Sequence, residues 1–295
     1  MKKILYTVFS ALLLMLSGCS DAHKKPIVIS TNAWIGFSPL FYAREMGWLN
    51  EADIKLISVV SLGESMHLYD AGSSDVFTGT QHEFDKQREQ HPDLVPIILF
   101  DRSNGGDAVM SNRTIDQLSS SEEKIDVYME LDSINEDLLK YFIKRNHLPK
   151  ERLVYHNRIQ DEIQLMKNAP DSSPIMIVTY DPYNMILKKN GFTEIASTKD
   201  ESDLFVVDAM YVSAKIYYEN KGKFQQLDRI IDRSIKALHD DPRGYYEKVK
   251  PYLDNPTYEE FIHMLGNIEL IHKNPSPEIL RQMENIQFPS KDLIQ

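Results

Sequence analysis

TNAWIGFSPLFYAREMGWLN, residues 31–50, leads from the end of a predicted strand into a helix. Ser38 and Pro39 predict the helix start, because serine is a favoured N-cap and proline is favoured at the first helical position. The turn before them carries two aromatic rings, those of Trp34 and Phe37, beside backbone N–H groups that a helix cannot pair internally. Such a corner either packs in the core or forms part of a binding site.

Apolar runs typical of strands alternate with helical patterns along most of the chain. The runs are PIVIST (26–31), IKLISVV (54–60), DVFTG (75–79), LVPIILFD (94–101), KIDVYME (124–130), RLVYH (152–156), PIMIVTY (174–180) and SDLFVVDAMYVS (202–213). This alternation predicts parallel α/β sheets with right-handed crossovers. After the last run, helical patterns follow one another to the C-terminus.

Several predicted helices begin with a capping-box sequence directly after a predicted strand. These starts lie at 61–64, 80–83 and 133–136, and Asp181-Pro182 repeats the serine–proline arrangement of the first corner. The starts should therefore lie at the carboxyl ends of strands, where α/β sheets bind ligands. Most helices need N-caps in any case, so this pattern alone does not define a site.

No catalytic or metal-binding motif is present in the sequence. The nine histidines are scattered, without H-x-H or H-E-x-x-H spacing. Nucleophile-elbow, P-loop and dinucleotide-binding motifs are also missing. The sequence therefore predicts a protein that is not an enzyme and that needs no cofactor and no metal.

The N-terminus resembles a bacterial lipoprotein signal. Two lysines precede ILYTVFSALLLML, an apolar run too short to span a bilayer comfortably, and LSGC follows it. We expect removal of residues 1–18 and lipidation of Cys19, with 19–26 as a short tether on the periplasmic side of a membrane. In a Gram-negative host, Ser20 favours the outer membrane. An ordinary signal peptide with a chance cysteine is the alternative.

The charge of the chain is strongly acidic, with 33 basic and 44 acidic residues. Removal of the signal would take away two lysines and no acids, changing the net charge from −11 to −13. This balance argues against nucleic acid as a partner and against a basic face for anionic lipids. We expect a tethered monomer.

Five segments, in order, resemble the periplasmic solute-binding proteins of nitrate/taurine/sulfonate-type ABC transporters. The segments are WIGFSPLFYAREMGWL (34–49), YDAGSSDVFTGTQHE (69–83), LFDRSNGGDAVMSNRTIDQL (99–118), IVTYDPYNMILKKNGFTEI (177–195) and DLFVVDAMYVSAKI (203–216). The first matches the pattern W-x-G-x-x-P-L-x-x-A-x-x-x-G of that family. The helical C-terminal region is consistent with the family but adds little signal.

The resemblance implies a two-lobed, type II-like periplasmic-binding-protein fold of class α/β, with two crossovers and a helical C-terminal region. Lobe 1 would comprise 26–103 plus 206–295, and lobe 2 would comprise 104–205. One ligand would be trapped between the lobes as they close by a hinge motion. Gly105 and Gly106 are a plausible hinge, because glycine accepts large dihedral changes.

The resemblance also implies where the ligand lies, with the first corner and the tyrosine–acid–proline segment as facing sides of the cleft. The residues expected to bind ligand are Trp34, Phe37, Ser38, Glu83, Asp107, Tyr180, Asp181, Tyr183 and Asp208. Trp34 or Phe37 would give the ligand an apolar or stacking surface. For each aromatic residue, core packing is the alternative.

The charge of the ligand follows less directly. Helix N-termini favour anions, as the sulfonate and nitrate members of the family require. The matched segments, however, bring many carboxylates towards the cleft, and Arg102 is the one basic candidate beside them. Buried carboxylates need a cation or hydrogen-bond donors. We therefore expect an amine-bearing or zwitterionic ligand, with or without a heteroaromatic ring. The alternative is that Asp101 and Asp107 only cap turns at the hinge.

Three functions fit these expectations. The first is a receptor that delivers a small polar solute to an ABC permease. The second is a ligand-sensing co-receptor that regulates a membrane signalling protein, which an outer-membrane tether would favour. The third is an enzyme similar to a pyrimidine synthase of the same fold, but the chain lacks the cysteine-rich motif of that enzyme.

Overall fold

The computed structural model describes residues 25–169, 172–199 and 204–294. The expected signal peptide, Cys19 and most of the tether lie outside the described residues. Within them, no helix combines the length and the apolar character needed to cross a membrane.

Two separate sheets organise the chain. The six-stranded sheet has the order β11-β4-β10-β3-β1-β2 and the five-stranded sheet the order β7-β6-β8-β5-β9 among the described residues. The strands are β1 Ile27–Thr31, β2 Ile54–Ser58, β3 Val76–Thr80, β4 Leu94–Ser103, β5 Asp107–Ser111, β6 Ile125–Met129, β7 Leu153–Asn157, β8 Ile175–Tyr180, β9 Thr193–Ser197, β10 Val207–Ser213 and β11 Ile268–Leu270. We call the six-stranded sheet with its helices the first unit, and the five-stranded sheet with its helices the second unit.

Helices connect the strands and form the C-terminal region. They are α1 Ser38–Glu45, α2 Trp48–Glu51, α3 Leu62–Asp70, α4 Gln81–Arg88, α5 Ile115–Ser120, α6 Asn135–Arg145, α7 Gln160–Ile163, α8 Tyr183–Lys189, α9 Ala214–Glu219, α10 Lys221–Asp240, α11 Pro242–Val249, α12 Tyr258–Leu265 and α13 Pro277–Asn285. Short 3₁₀ helices cover Ile35–Phe37, Lys150–Arg152 and Lys250–Tyr252. Helices α10 and α11 pack on α1, so the C-terminal region holds the first corner in place.

Both sheets are mixed, which corrects the expectation of parallel sheets. Strand β1 runs parallel to β2 and β3, but β10 is antiparallel to both β3 and β4. In the second unit, β5 is antiparallel to β8 and β9. The physical reason is the connection between the units. The chain leaves the first unit through β4 and returns through β10, so these neighbours point in opposite directions.

Four expected helix starts differ in the structure. Helix α8 begins at Tyr183 with Pro182, not Asp181, as its N-cap, and at 61–64 only the serine half of the capping box forms. Ser38 does not cap α1, because the 3₁₀ turn Ile35–Phe37 leads directly into that helix. Its hydroxyl instead lies 3.1 Å from the hydroxyl of Tyr245 on α11. The expected capping box at 133–136 is also not formed, since Ile134 is the N-cap of α6 and no side chain caps it. The box at 80–83 is complete.

Candidate functional site

A small cavity lies between the two units. It has a volume of about 10 Å³, the room of about one water molecule. Its lining residues are Asn32, Trp34, Leu62, Thr80, Asp107, Ile134, Tyr180 and Asp208. The topology explains this meeting point, because β1, β3 and β8 end there while β5 and β10 begin there. The chain therefore brings strand ends from both units to one position, as ligand sites of α/β folds require.

Trp34 connects the first corner to both units. Its Nε1–H donates to Asp101, at 3.1 Å to Oδ1 and 3.3 Å to Oδ2. Its ring meets Tyr180 edge-to-face, with the ring centroids 6.0 Å apart. A Cβ on Gly36 would lie 1.7 Å from Asp101 Oδ2, and one on Gly106 would lie 2.3 Å from Trp34 Cη2. A side chain at Gly36 would collide with Asp101, and one at Gly106 would collide with the Trp34 ring. Both glycines are thus needed for Trp34 to keep its position and its hydrogen bond to Asp101.

Two buried carboxylates face each other across neighbouring strands. Asp101 on β4 pairs in register with Asp208 on β10, and both side chains are buried. Burial raises the pKa of Asp101 well above its ordinary value, and the hydrogen bond from Trp34 offsets this only in part. Burial also raises the pKa of Asp208, with further increases from the charges of Asp101, Asp107 and Glu83. The pair disfavours a second negative charge unless a cation approaches.

Among the carboxylates that line the cavity, Asp107 has a buried oxygen without a hydrogen-bond partner. It is 4% exposed, and its Oδ2 has no hydrogen-bond partner in the described structure. Burial raises its pKa to about 7, a hydrogen bond from Ser103 opposes that shift, and the charges of Asp181 and Glu83 add to it. An ammonium group beside Oδ2 would supply the missing donor and the missing positive charge.

Asp181 and Glu83 lie behind the cavity lining. Asp181 Oδ2 accepts a hydrogen bond of 2.9 Å from Asn267, and burial raises the pKa of Asp181 to about 6. Glu83 Oε2 accepts from the backbone N–H of Thr80 at 2.8 Å and from its hydroxyl at 2.6 Å. Glu83 Oε1 accepts from Ile134 N–H of the second unit at 2.9 Å. Both carboxylate oxygens of Glu83 are therefore already hydrogen-bonded, one at the start of α4 and the other to the second unit.

Further hydrogen bonds cross between the units beside the cavity. Gly63 N–H donates to Glu130 Oε1 at 2.8 Å, and His82 Nδ1 lies 2.7 Å from Asp137 Oδ2. Glu130 is buried, its Oε2 has no hydrogen-bond partner, and burial raises its pKa to about 7. Glu130 was not predicted from the sequence, because its contact with Gly63 depends on how the two units face each other.

A groove of about 490 Å³ follows the outer side of the boundary between the two units, which we call the seam. Its lining residues are Val60, Ser61, Gly63, Glu64, Met66, His67, Glu130, Leu131, Asp132, Asn157 and Ile159. They come from the start of α3 in the first unit and from the ends of β6 and β7 in the second.

The nine expected ligand residues separate into two groups. Trp34, Asp107, Tyr180 and Asp208 line the cavity; Phe37, Ser38, Glu83, Asp181 and Tyr183 do not. Phe37 packs edge-to-face on Phe100 in the core, with centroids 5.3 Å apart. The hydroxyl of Tyr183 is hydrogen-bonded with Asp254. Asn32 and Thr80, which were not expected to bind ligand, also line the cavity; each stands at the carboxyl end of a strand.

No lysine, arginine or histidine stands among the residues that line the cavity in the described structure. Arg102, the basic candidate of the sequence, pairs with Glu269 on β11 at 3.5 Å. The polar and aromatic groups of the lining are therefore carboxylates, an indole, a phenol, a hydroxyl and an amide. Asn32 Nδ2 donates to the Tyr180 hydroxyl at 3.1 Å, and its Oδ1 has no hydrogen-bond partner. The free oxygens of Asn32 and Asp107 are acceptors, as a ligand with N–H donors needs.

Comparison with solved structures identifies the fold. A ligand-binding component of an ABC-type import system from Staphylococcus aureus, solved with zinc bound, has a TM-score of 0.71 at 11% identity, covering 92% of this chain and 97% of that one. The alkanesulfonate-binding protein SsuA from Xanthomonas axonopodis pv. citri, bound to MOPS, has a TM-score of 0.71 at 12% identity, covering 92% and 98%. The Candida albicans CA3427 product, of the generic periplasmic binding protein fold, has a TM-score of 0.65 at 10% identity, covering 89% of each chain.

The chain thus has the α/β periplasmic-binding-protein fold, and the structures it is similar to include binding components of ABC-type import systems. This confirms the resemblance found in the sequence at the level of the fold. No protein-family model matches the chain, and no curated protein matches it with significance.

Proposed function

We propose that this protein is a solute-binding protein that captures a small amine-bearing solute, cationic or zwitterionic, between its two units. The single observation that carries the proposal is the convergence of buried carboxylates on a cavity without a basic lining residue. Asp107 and Asp208 line that cavity directly, and Asp101 lies behind Trp34. Ionised carboxylates are costly to bury alone, and a bound ammonium group would offset that cost.

The aromatic side chains support the same ligand class. Trp34 and Tyr180 border the cavity from opposite units, and a cation over an indole or phenol face is attracted by the ring quadrupole. A zwitterionic or heteroaromatic amine would add stacking and a second polar group. The free acceptors on Asn32 and Asp107 would then take its N–H donors.

A cavity of about 10 Å³ requires opening before an organic solute can enter. We propose lobes of 26–103 plus 206–295 and of 104–205, with the crossing at Gly105 as one hinge. Gly105 has φ of +119°, a region that favours glycine. The hydrogen bonds between the units, from Ile134 N–H to Glu83 and from Gly63 N–H to Glu130, would then stabilise the closed form.

The partner and the location belong to the same proposal. A lipid anchor at Cys19 would hold the protein at the periplasmic side of a bacterial membrane, where an ABC permease would receive the solute. The neighbours of this fold from ABC-type import systems support that partner. Ser20 favours an outer-membrane tether in a Gram-negative host, and a receptor held there would instead suit a sensory partner. A permease gene or a sensory-enzyme gene beside this one separates the two.

A thermal-shift panel tests the ligand class. Small amines and amino-substituted heteroaromatic compounds should raise the melting temperature at pH 8, whereas alkanesulfonates and nitrate should not. Asp107→Asn should abolish the shift, and Asp240→Asn, an equal change of charge at a residue 62% exposed on α10, should retain it. Stabilisation by the anions alone would overturn the proposed ligand class.

A further inference from the structure

A second polar cluster lies outside the cavity, between α10 and the segment after β11. Asp228 and Asp232 stand one turn apart on α10, and His272 follows β11. One ligand-capable atom from each of the three lies within 4.8 Å of the others. The side chains of Asp228 and His272 are each only 4% exposed. The three side chains are therefore already close together, with Asp228 and His272 screened from solvent and Asp232 45% exposed.

The hydrogen bonding of His272 decides what the cluster can hold. Its Nδ1 lies 3.0 Å from the backbone oxygen of Leu99 on β4, and a carbonyl oxygen can only accept, so Nδ1 carries the hydrogen. Its Nε2 lies 3.1 Å from Asp232 Oδ1 and 3.4 Å from Asp228 Oδ1. Nε2 therefore faces two carboxylate oxygens. These three atoms repel one another unless a proton on Nε2 or a metal ion lies among them.

Two buried atoms of the cluster have unused bonding capacity. His272 Nε2 and Asp228 Oδ1 have no hydrogen-bond partner in the described structure, although both are buried. Lys273 does not fill this space, because its Nζ contacts the other oxygens of the carboxylates, Asp228 Oδ2 at 2.6 Å and Asp232 Oδ2. The two Oδ1 atoms and Nε2 remain directed at one another.

We propose that Asp228, Asp232 and His272 form a binding site for Zn²⁺. One imidazole nitrogen and two carboxylate oxygens suit zinc, which accepts nitrogen and oxygen ligands and would keep its fourth position for water. Calcium and magnesium prefer oxygen ligands alone. The Nδ1–H bond to Leu99 fixes the ring and its tautomer, which is the usual outer-shell arrangement of a metal-bound histidine.

The site would join α10 to β4 and β11 and is independent of the proposed solute cleft. The competing arrangement is a metal-free salt cluster, in which a protonated His272 and Lys273 balance the two carboxylates. The two arrangements differ in the role of Lys273. In the salt cluster its ammonium group is a stabilising partner, whereas for zinc it is a competing positive charge.

Titration of chelator-stripped, full-length protein with ZnCl₂, followed by calorimetry and native mass spectrometry, tests the site. The expected result is one zinc ion per chain and a higher melting temperature. His272→Gln and Asp232→Asn should each weaken binding at least about tenfold, since each removes a ligand. As a control, His239→Gln replaces an exposed histidine on α10, the helix that carries Asp232. This variant should bind zinc as the wild type does.

Lys273→Gln separates the two arrangements. The zinc site predicts that this variant binds ZnCl₂ more tightly than the wild type, because the competing charge is gone. Failure of both the wild type and Lys273→Gln to bind one equivalent at micromolar ZnCl₂ would overturn the proposal. Equal binding by His272→Gln, Asp232→Asn and the wild type would also overturn it. If His272→Gln does not fold, Asp232→Asn decides, because Asp232 is 45% exposed and easier to replace.

Discussion

Replacement of Asp107 by asparagine tests whether its carboxylate is retained for binding at the expense of stability. Burial raises the pKa of Asp107 from 3.8 to about 7. Each pKa unit corresponds to 1.36 kcal/mol, so keeping this group ionised in the folded, ligand-free protein costs up to about 4 kcal/mol. Asparagine has nearly the same shape and carries no charge. Its amide would donate towards an acidic surrounding.

The sign of the effect follows from the direction of the shift. Below about pH 4, Asp107 is protonated in both the folded and the unfolded state and contributes nothing. Between about pH 4 and pH 7 only the unfolded chain releases the proton, so the stability of the folded state falls as pH rises. Above pH 7 the full cost remains. Asp107→Asn should therefore raise the free energy of unfolding at pH 8 by about 2–4 kcal/mol and change it little at pH 4.

Urea unfolding of ligand-free protein at pH 4 and pH 8 measures this difference, with Asp240→Asn as the control for the loss of one charge. The same Asp107→Asn variant should bind an amine ligand more weakly, since it lacks the anionic partner. A variant that is destabilised equally at both pH values would refute the reasoning. In that case the Asp107 side chain would stabilise the fold to the same extent whether or not it is protonated, and its pKa in the folded state would not be raised.

Trp34→Phe should lower stability by about 1–3 kcal/mol, because the buried Asp101 loses its N–H donor; chemical denaturation checks this. Gly106→Ala places a Cβ 2.3 Å from Trp34 Cη2 and should keep the units apart, giving a larger radius of gyration in scattering than the wild type with ligand, while Gly222→Ala, with open space around it, should match the wild type. Cys19→Ser should move the protein from the membrane to the soluble fraction, and a wild type already soluble and unlipidated would contradict the anchor.

The first corner could be predicted because its features are local. Strand, glycine and proline signals in residues 31–50 place Trp34 at the end of β1, and strand ends of α/β sheets are where ligands bind. Which of the two aromatic rings faces the cavity was not predictable, since Trp34 and Phe37 share one turn. Phe37 is drawn into the core by Phe100, a residue more than sixty positions away.

Features that depend on both units could not be obtained from the sequence. The need for Gly36 arises from Asp101, which β4 brings to within 1.7 Å of the position a Cβ would occupy. Glu130 contacts Gly63 only because the units face each other across the seam. Strand β11 is three residues long, too short to be predicted by apolar alternation. The mixed direction of the sheets likewise follows from the return of the chain through β10.

Native mass spectrometry of the protein purified at neutral pH, with the retained small molecule then released by acid and identified, tests the central claim most directly. The buried carboxylates around Trp34 and Tyr180 predict that this molecule carries a basic amino group and binds one per chain. They also predict that acid releases it, because protonation of Asp107 removes the charge that holds it. A retained organic anion without an amino group, such as an alkanesulfonate, would contradict the account.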